Sequence, residues 1–380
     1  MRKQFDLPER VLLHDATLRD GEQTPGVVFT KNEKVEMAKL LDRLGVDRIE
    51  AGMPAVSPDD AAAVKEIASA GLRAKVMAFC RAVRSDIEIA IECGVWGTVI
   101  EVASGEERLK RQFASWTPDD VFRKATDSIK CAKDCGMYVT FFPYDTTRAN
   151  LGFLAELCGK AREAGADSIA VVDTTGTATP AAMRELVRLV RGFAGGLTVE
   201  VHTHNDLGMG VANALAGVEA GACVVHGCIN GLGERCGNAA LEEIAVALKA
   251  CYGLQLGVDF ARIVDTCRAF ERFSGVRLPI NKPIAGYVAF AKESGIGIEM
   301  VKLAPTITFP IKPEFVGASP RIVLGKKSGK GSVRMKLEEL GVSVPEDRID
   351  AILEEVKLRS IQKKASISDE EFLELVEKHR

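Results

Sequence analysis

An α/β fold, a parallel (β/α)8 TIM barrel followed by small, mainly helical C-terminal subdomains, is what this sequence predicts. Three observations predict it. Short β-branched runs alternate with longer amphipathic stretches, at roughly thirty-residue spacing over about 250 residues. Many of the amphipathic stretches open on capping residues and close on a glycine just before the next strand. Polar, motif-like residues gather just after several different strands, the distribution of a barrel with its site at one end. A doubly wound open sheet is the competitor, but no Gly-rich dinucleotide fingerprint follows the first strand.

In chain order the expected strands are residues 11–18, 48–52, 75–80, 98–102, 138–143, 168–173, 198–204 and 222–229. Helices are expected between them, among others at 31–44, 58–70, 117–135, 150–164 and 180–193, with a last barrel helix at 239–251. Ser57-Pro58 and Thr117-Pro118 each supply a side-chain acceptor followed by a proline tolerated in the first helical turn. Gly45, Gly71, Gly94, Gly165 and Gly221 mark stops. The rhythm breaks beyond about Phe273, where prolines punctuate a stretch rich in Gly and Lys. Charged amphipathic segments follow at 330–340, 346–363 and 369–379. A barrel domain is therefore expected over 1–275 and accessory helical subdomains over 276–380.

The chain has 380 residues, 47% of them apolar, enough for a large core. A formal charge of −3 gives no ground for binding nucleic acid or an anionic membrane. No run approaches a membrane-spanning helix, and MRKQFDLPER lacks the apolar heart of a secretion signal. Ten cysteines are scattered without CxxC pairs; Cys158, Cys223, Cys251 and Cys267 sit in apolar contexts, and buried free thiols in a reducing cytoplasm are expected.

Chemistry is most visible at His202-Thr203-His204, at the end of a strand-like run. Residues i and i+2 of a strand share a face, so both imidazoles can reach one divalent ion; two solvent-facing histidines are the alternative. At the end of strand one, Arg19, Asp20, Glu22 and Gln23 fall together, an arrangement that is costly unless the groups share partners. Arg19-Asp20 can offer a cation to a developing oxyanion and an acceptor to a metal, or can form a structural salt bridge. After strand eight, glycines at 231, 233 and 237 frame Glu234, Arg235 and Asn238.

The segments DATLRDGEQTPG, RIEAGMPAVSPDD, VHTHNDLGMGVANALAGVEAG and INGLGERCGNAALEEI resemble, in order, the motifs of a known family. These are the acyl-CoA/2-oxo acid condensing enzymes of the DRE-TIM metallolyase superfamily, which include 2-isopropylmalate, homocitrate and citramalate synthases. The likeness spans residues 11–250 and continues more weakly through LGKKSGKGS to about 335. It implies a divalent ion (Mg, Mn or Zn) held by Asp20, His202 and His204, with Asn238 as a fourth ligand. It implies an acyl-CoA, foremost acetyl-CoA, as co-substrate and a 2-oxo acid that chelates the ion. Arg19 would then stabilise the alkoxide, Glu50 orient the site and Glu234 assist acid-base steps. Gln23 and Thr174 would contact substrate, and Arg81 would pair with a substrate carboxylate or with a surface acid. A homodimer is implied as well.

Three departures from the family pattern stand out. Tyr144 occupies the usual strand-five Glu position. The subdomain pattern His-x-x-Gly-x-His reads Lys292 to Gly297 without either histidine, and Lys-His-Ser-Gly reads Lys326-Lys327-Ser328-Gly329. In the family, a subdomain histidine helps deprotonate the acyl-CoA methyl group. Here the base is left open between Lys292, a path through Tyr144 and a group not yet located; Lys292 can equally serve coenzyme A phosphates. A carbon-carbon lyase or aldolase working from the same metal site is the alternative activity.

Overall fold

The computed structural model describes residues 5–379. Eight parallel strands close into a barrel in sequence order. They are β1 (Leu12–Asp15), β2 (Arg48–Glu50), β3 (Lys75–Arg81), β4 (Gly97–Ala103), β5 (Tyr138–Tyr144), β6 (Ser168–Asp173), β7 (Thr198–Thr203) and β8 (Val224–Gly227). β8 returns to β1, pairing His226 with His14, so the sheet has no edge. The expected fold class is the observed one.

The intervening helices are α1 (Lys31–Leu44), α2 (Pro58–Ala68), α3 (Arg84–Glu92), α4 (Glu106–Arg111), α5 (Pro118–Asp134), α6 (Leu151–Glu163), α7 (Pro180–Ala194), α8 (Gly210–Glu219) and α9 (Leu241–Tyr252). Their starts follow local chemistry. The Ser57 hydroxyl accepts the Asp60 N–H at 3.0 Å, and Thr117 forms a reciprocal capping box with Asp120. Gly45 ends α1 at φ 92°, and a Cβ there would stand 2.2 Å from the Gly257 carbonyl oxygen, so only glycine fits. Periodicity does not single out α4 or α8. All but one of the six side chains of α4 are charged, whereas α8 is buried on nearly every side.

β1 is shorter than its apolar run. The chain turns at Ala16, whose carbonyl accepts from the N–H groups of Arg19 and Gly21, so residues 16–20 become a loop at the barrel mouth. The barrel interior is divided by chemistry. Strands β3 to β6 fill it with Met77, Phe79, Val99, Phe142, Ala170 and Val172. On the side of β1, β2, β7 and β8 it holds His14, Arg48, Glu50, Glu200 and His226, all buried.

The chain forms two compact units, one of Met1–Asp259 with Asp265–Arg277, the other of Phe260–Val264 with Leu278–Arg380. In the second, helices Lys330–Glu339, Ile349–Lys363 and Asp369–Lys378 surround a core that includes Val333, Ile352, Val356, Phe372 and Leu375. A short parallel pair, Ala291–Lys292 with Arg321–Ile322, adds to it. Among the described residues no helix is long and apolar enough to cross a membrane. The ten cysteines are free thiols; Cys158 and Cys267 are buried as expected, but Cys223 is half-buried and Cys251, on the last turn of α9, is exposed, so burial does not extend to all four.

Candidate active site

Alternation along β7 points Glu200, His202 and, just past the strand, His204 into the barrel. Glu200 lies deeper, while the two imidazoles reach the mouth. There the Nε2 atoms of His202 and His204 stand 3.3 Å apart, and they are 3.3 and 3.7 Å from one oxygen of Asp20. Asn238 bridges to His204 through the backbone and donates its side-chain N–H to the other Asp20 oxygen at 2.9 Å. Gly233 makes this approach possible, since a Cβ there would meet the Asn238 amide nitrogen at 2.2 Å.

These residues fit a divalent cation. Ligand atoms about 2.1 Å from one ion lie about 3.0–3.4 Å from one another; two of the three separations here are 3.3 Å, and the third, His204 to Asp20, is 3.7 Å. The Asn238 side-chain oxygen is buried without a hydrogen-bond partner and supplies an oxygen donor beside the cluster. Protonation states agree. Burial pushes the Asp20 carboxyl up, but Arg19 and the two imidazoles outweigh it and hold it well below its usual range. Burial lowers His202 and takes His204 down to about 4, leaving both imidazoles neutral and free to ligate.

Arg19 is fixed on three sides. Its Nε donates to Glu50, one terminal nitrogen lies 3.1 Å from Asp20, and its plane sits over the Phe79 ring at 4.0 Å. The remaining terminal nitrogen is buried without a partner. Burial alone would lower the guanidinium, but Glu50 and Asp20 raise it, so the cation is permanent. Gln23 presents its amide oxygen to Arg19 at 3.4 Å. Glu50 is fully enclosed and does not line the cavity; its carboxylate holds Arg19 from behind.

A cavity of about 630 Å³ opens over this cluster, lined by Arg19, Asp20, Gln23, Tyr144, Thr174, His202, His204 and Glu234 among others. Thr174 accepts the Asp145 N–H at 2.8 Å, which leaves its own O–H free to donate. Glu234 pairs with Arg235, which also clamps Asp206. Arg81 reaches the rim but is held bidentate by Asp86 at 2.8 and 3.0 Å, so the ion-pair alternative is the arrangement seen.

Lys292 lies in the second unit, half-buried, with its ammonium 3.4 Å from the Gly297 carbonyl. The two departing segments of that unit meet each other. The N–H of Lys327 donates to the Glu293 carboxylate, and that of Gly295 to the Lys327 carbonyl.

Sequence reasoning missed Glu101, Arg108, Phe113, Trp116 and Lys124, all of which line the cavity. Glu101 carried a signal, one carboxylate inside an apolar strand run. Arg108 carried none, hidden in the charged series of α4.

A family profile described as HMGL-like matches residues 10–269, and one described as homocitrate synthase post-HMGL domain-like matches residues 284–364. A homocitrate synthase AksA of Methanopyrus kandleri is 41% identical over 98% of this chain and 94% of its own. A probable 2-isopropylmalate synthase of Ignicoccus hospitalis is also 41% identical, over 98% and 93%. Among solved structures, hydroxymethylglutaryl-CoA lyase from Pseudomonas aeruginosa aligns with a TM-score of 0.64 at 22% identity. That alignment covers 73% of this chain and 97% of the lyase, and it shows the shared fold.

Proposed function

Because the chain belongs to the HMGL-like family, among the homocitrate and 2-isopropylmalate synthases, we propose that its barrel mouth joins acetyl-CoA to a 2-oxo acid. It is an acyltransferase whose acyl group becomes an alkyl group in the product, a 2-hydroxy di- or tricarboxylate released with free coenzyme A. The convergence of Arg19, Asp20, His202 and His204 beneath one cavity is the observation that carries this reading. The lyase alternative loses ground. Lyase likeness stands at 22% identity and speaks only of fold, whereas the synthases match at 41% across both units.

Asp20, His202, His204 and Asn238 would hold the divalent ion, Mg, Mn or Zn, which when bound polarises the keto group of the 2-oxo acid. Arg19 aims its unpartnered nitrogen at the charge that grows on that oxygen, and Glu50 keeps the guanidinium from turning. Thr174 and Gln23 orient the substrate carboxylate, and Glu234 exchanges protons at the rim. Lys124, together with Arg81 and Arg108 in their pairs with Asp86 and Asp145, places N–H donors around the outer cavity for carboxylates and coenzyme A phosphates. Lys292 serves the acyl-CoA in the second unit. The enzyme works in the cytoplasm as a homodimer. Exposed Ile280, Tyr287, Ile296, Leu303 and Ile307 support this assembly, as apolar side chains of the second unit that a second copy would cover.

The test is to incubate metal-loaded protein with acetyl-CoA and a panel of 2-oxo acids and to follow free thiol. Release with at least one 2-oxo acid is expected. No release with any, together with cleavage of a 3-hydroxyacyl-CoA, would move the activity to a lyase.

A further inference from the structure

The condensation needs a group that removes a proton from the acyl-CoA α-carbon, and the usual subsidiary histidines are replaced in this chain. Inside the cavity one carboxylate has no assigned task. Glu101 lies on β4, in register with Arg81 of β3 and Phe142 of β5. Arg81 has turned away to Asp86, and Phe142 packs its ring edge-on against His202, with centroids 5.2 Å apart. Glu101 therefore stands at the depth of the metal-ligand cluster, between an apolar ring and a cation already engaged elsewhere.

Among the described residues, no hydrogen bond or ion pair is made by its carboxylate. The side chain is half-buried and opens on the substrate-sized cavity, so its carboxylate is free to meet a ligand there. Burial pushes the Glu101 carboxyl up to about 7; Arg19 and Arg108 oppose the rise, and Asp20 and Glu234 add to it. Tyr144 faces the same carboxylate, and burial raises its phenol too. A phenol raised in this way is a poor base near neutrality, whereas a carboxylate facing the cavity can take a proton there and give it back.

The β4–β5 register adds a second point. Tyr144 pairs with Ala103, so Glu101 is two residues deeper on the neighbouring strand, on the same face as Ala103. This chain lacks a carboxyl at position 144 and has one a layer below, on the adjacent strand.

The geometry points to Glu101 as the general base that deprotonates the acyl donor. This rests on the condensation reading above. A Glu101 oxygen takes the proton from the α-carbon; the C–H bond breaks, an O–H bond forms, and the electron pair enters the thioester carbonyl to give the enolate. The enolate carbon bonds to the keto carbon of the 2-oxo acid, whose π pair moves to its oxygen beside Arg19. The proton held on Glu101 goes to that alkoxide, so the carbon-carbon step is balanced without an outside acid. Water then cleaves the thioester.

The experiment follows deuterium entering the methyl group of acetyl-CoA in D2O, by mass spectrometry, alongside thiol release. Glu101→Gln should reduce both on the order of 10²-fold or more while metal content and 2-oxo acid binding stay at the wild-type level. Glu101→Asp, which keeps the carboxylate but shortens its reach, should recover part of the exchange. Exchange at the wild-type rate in Glu101→Gln overturns the assignment, as does loss of metal in step with activity, which would make Glu101 structural. Should Glu101→Gln fail to fold, Glu101→Asp decides: slowed exchange with full metal supports the base, and wild-type exchange overturns it. Wild-type protein is measured first. If none of the 2-oxo acids elicits thiol release, the condensation reading falls and the assignment with it. If it turns over and only Glu101→Gln exchanges normally, the assignment alone falls.

Discussion

His14 and His226 stack face to face inside the barrel, with ring centroids 4.0 Å apart and planes within 8°. Each meets a different carboxylate, His14 the Glu50 oxygen at 2.9 Å and His226 the Glu200 oxygen at 2.7 Å. Each carboxylate in turn holds an arginine, Glu50 Arg19 and Glu200 Arg48. Parallel rings direct their ring nitrogens side by side, so this pair suits two separate hydrogen bonds better than one shared metal. The stack braces Glu50 from below, and through it the guanidinium at the mouth.

The stack makes the fold acid-sensitive in a defined window. Burial lowers His226 to about 4, so the unfolded chain takes up protons first as pH falls through 6.5, and stability is lost from there down. Burial pushes Glu50 up, but Arg19 and His14 outweigh it and bring it to about 2. Its contribution is complete above 4.5 and is lost as pH falls toward 2. Asp15 and Glu101, both raised by burial to about 7, act in the opposite sense between pH 7 and about 4. Urea unfolding of metal-free protein should therefore lose stability most steeply below about pH 4.5, and a flat profile from pH 4.5 to pH 3 would contradict the buried network.

Glu50→Gln tests the bracing directly. An amide keeps the shape but loses the charge that fixes Arg19. Turnover should fall on the order of 10²-fold with metal content unchanged. Turnover near wild type would leave Arg19 oriented by Asp20 and Phe79 alone.

His202→Ala and His204→Ala should each lower bound metal and abolish thiol release while the barrel stays folded. Elemental analysis of the purified variants, with circular dichroism as the folding check, decides it. Full metal content in both variants would remove the pair from the ion site.

Arg19→Lys keeps the charge but loses the planar fork. The ammonium cannot touch Glu50 and the developing oxyanion together. A kcat loss on the order of 10²-fold with little change in metal affinity is expected from steady-state kinetics. A near-normal kcat would make Arg19 a structural salt-bridge residue.

Lys292→Ala separates the second unit's lysine from the chemistry. If Lys292 contacts coenzyme A phosphates, KM for acetyl-CoA rises and kcat changes little. Loss of methyl exchange in this variant, with exchange intact in Glu101→Gln, would return the base to Lys292.

Much of this protein is set locally. Alternating strand and helix periodicities, capping pairs such as Thr117 with Asp120 and stops such as Gly45 prescribe each βα unit from neighbouring residues. Parallel strands place all their C-terminal ends on one side, so Arg19, Asp20, His202, His204 and Asn238, each just at or after a strand, had to share one mouth. Other relationships needed the closed barrel. The stack of His14 on His226 exists because β8 returns to β1 in a particular register. Arg81 is taken by Asp86 five residues on, which side-chain conformation decides and residue type does not. Glu101 reads as one acid in an apolar run until the stagger of β3, β4 and β5 sets it beside Phe142, under Tyr144, with no partner. Sequence period fixes which face a residue takes; only closure and register fix which distant side chain it meets there.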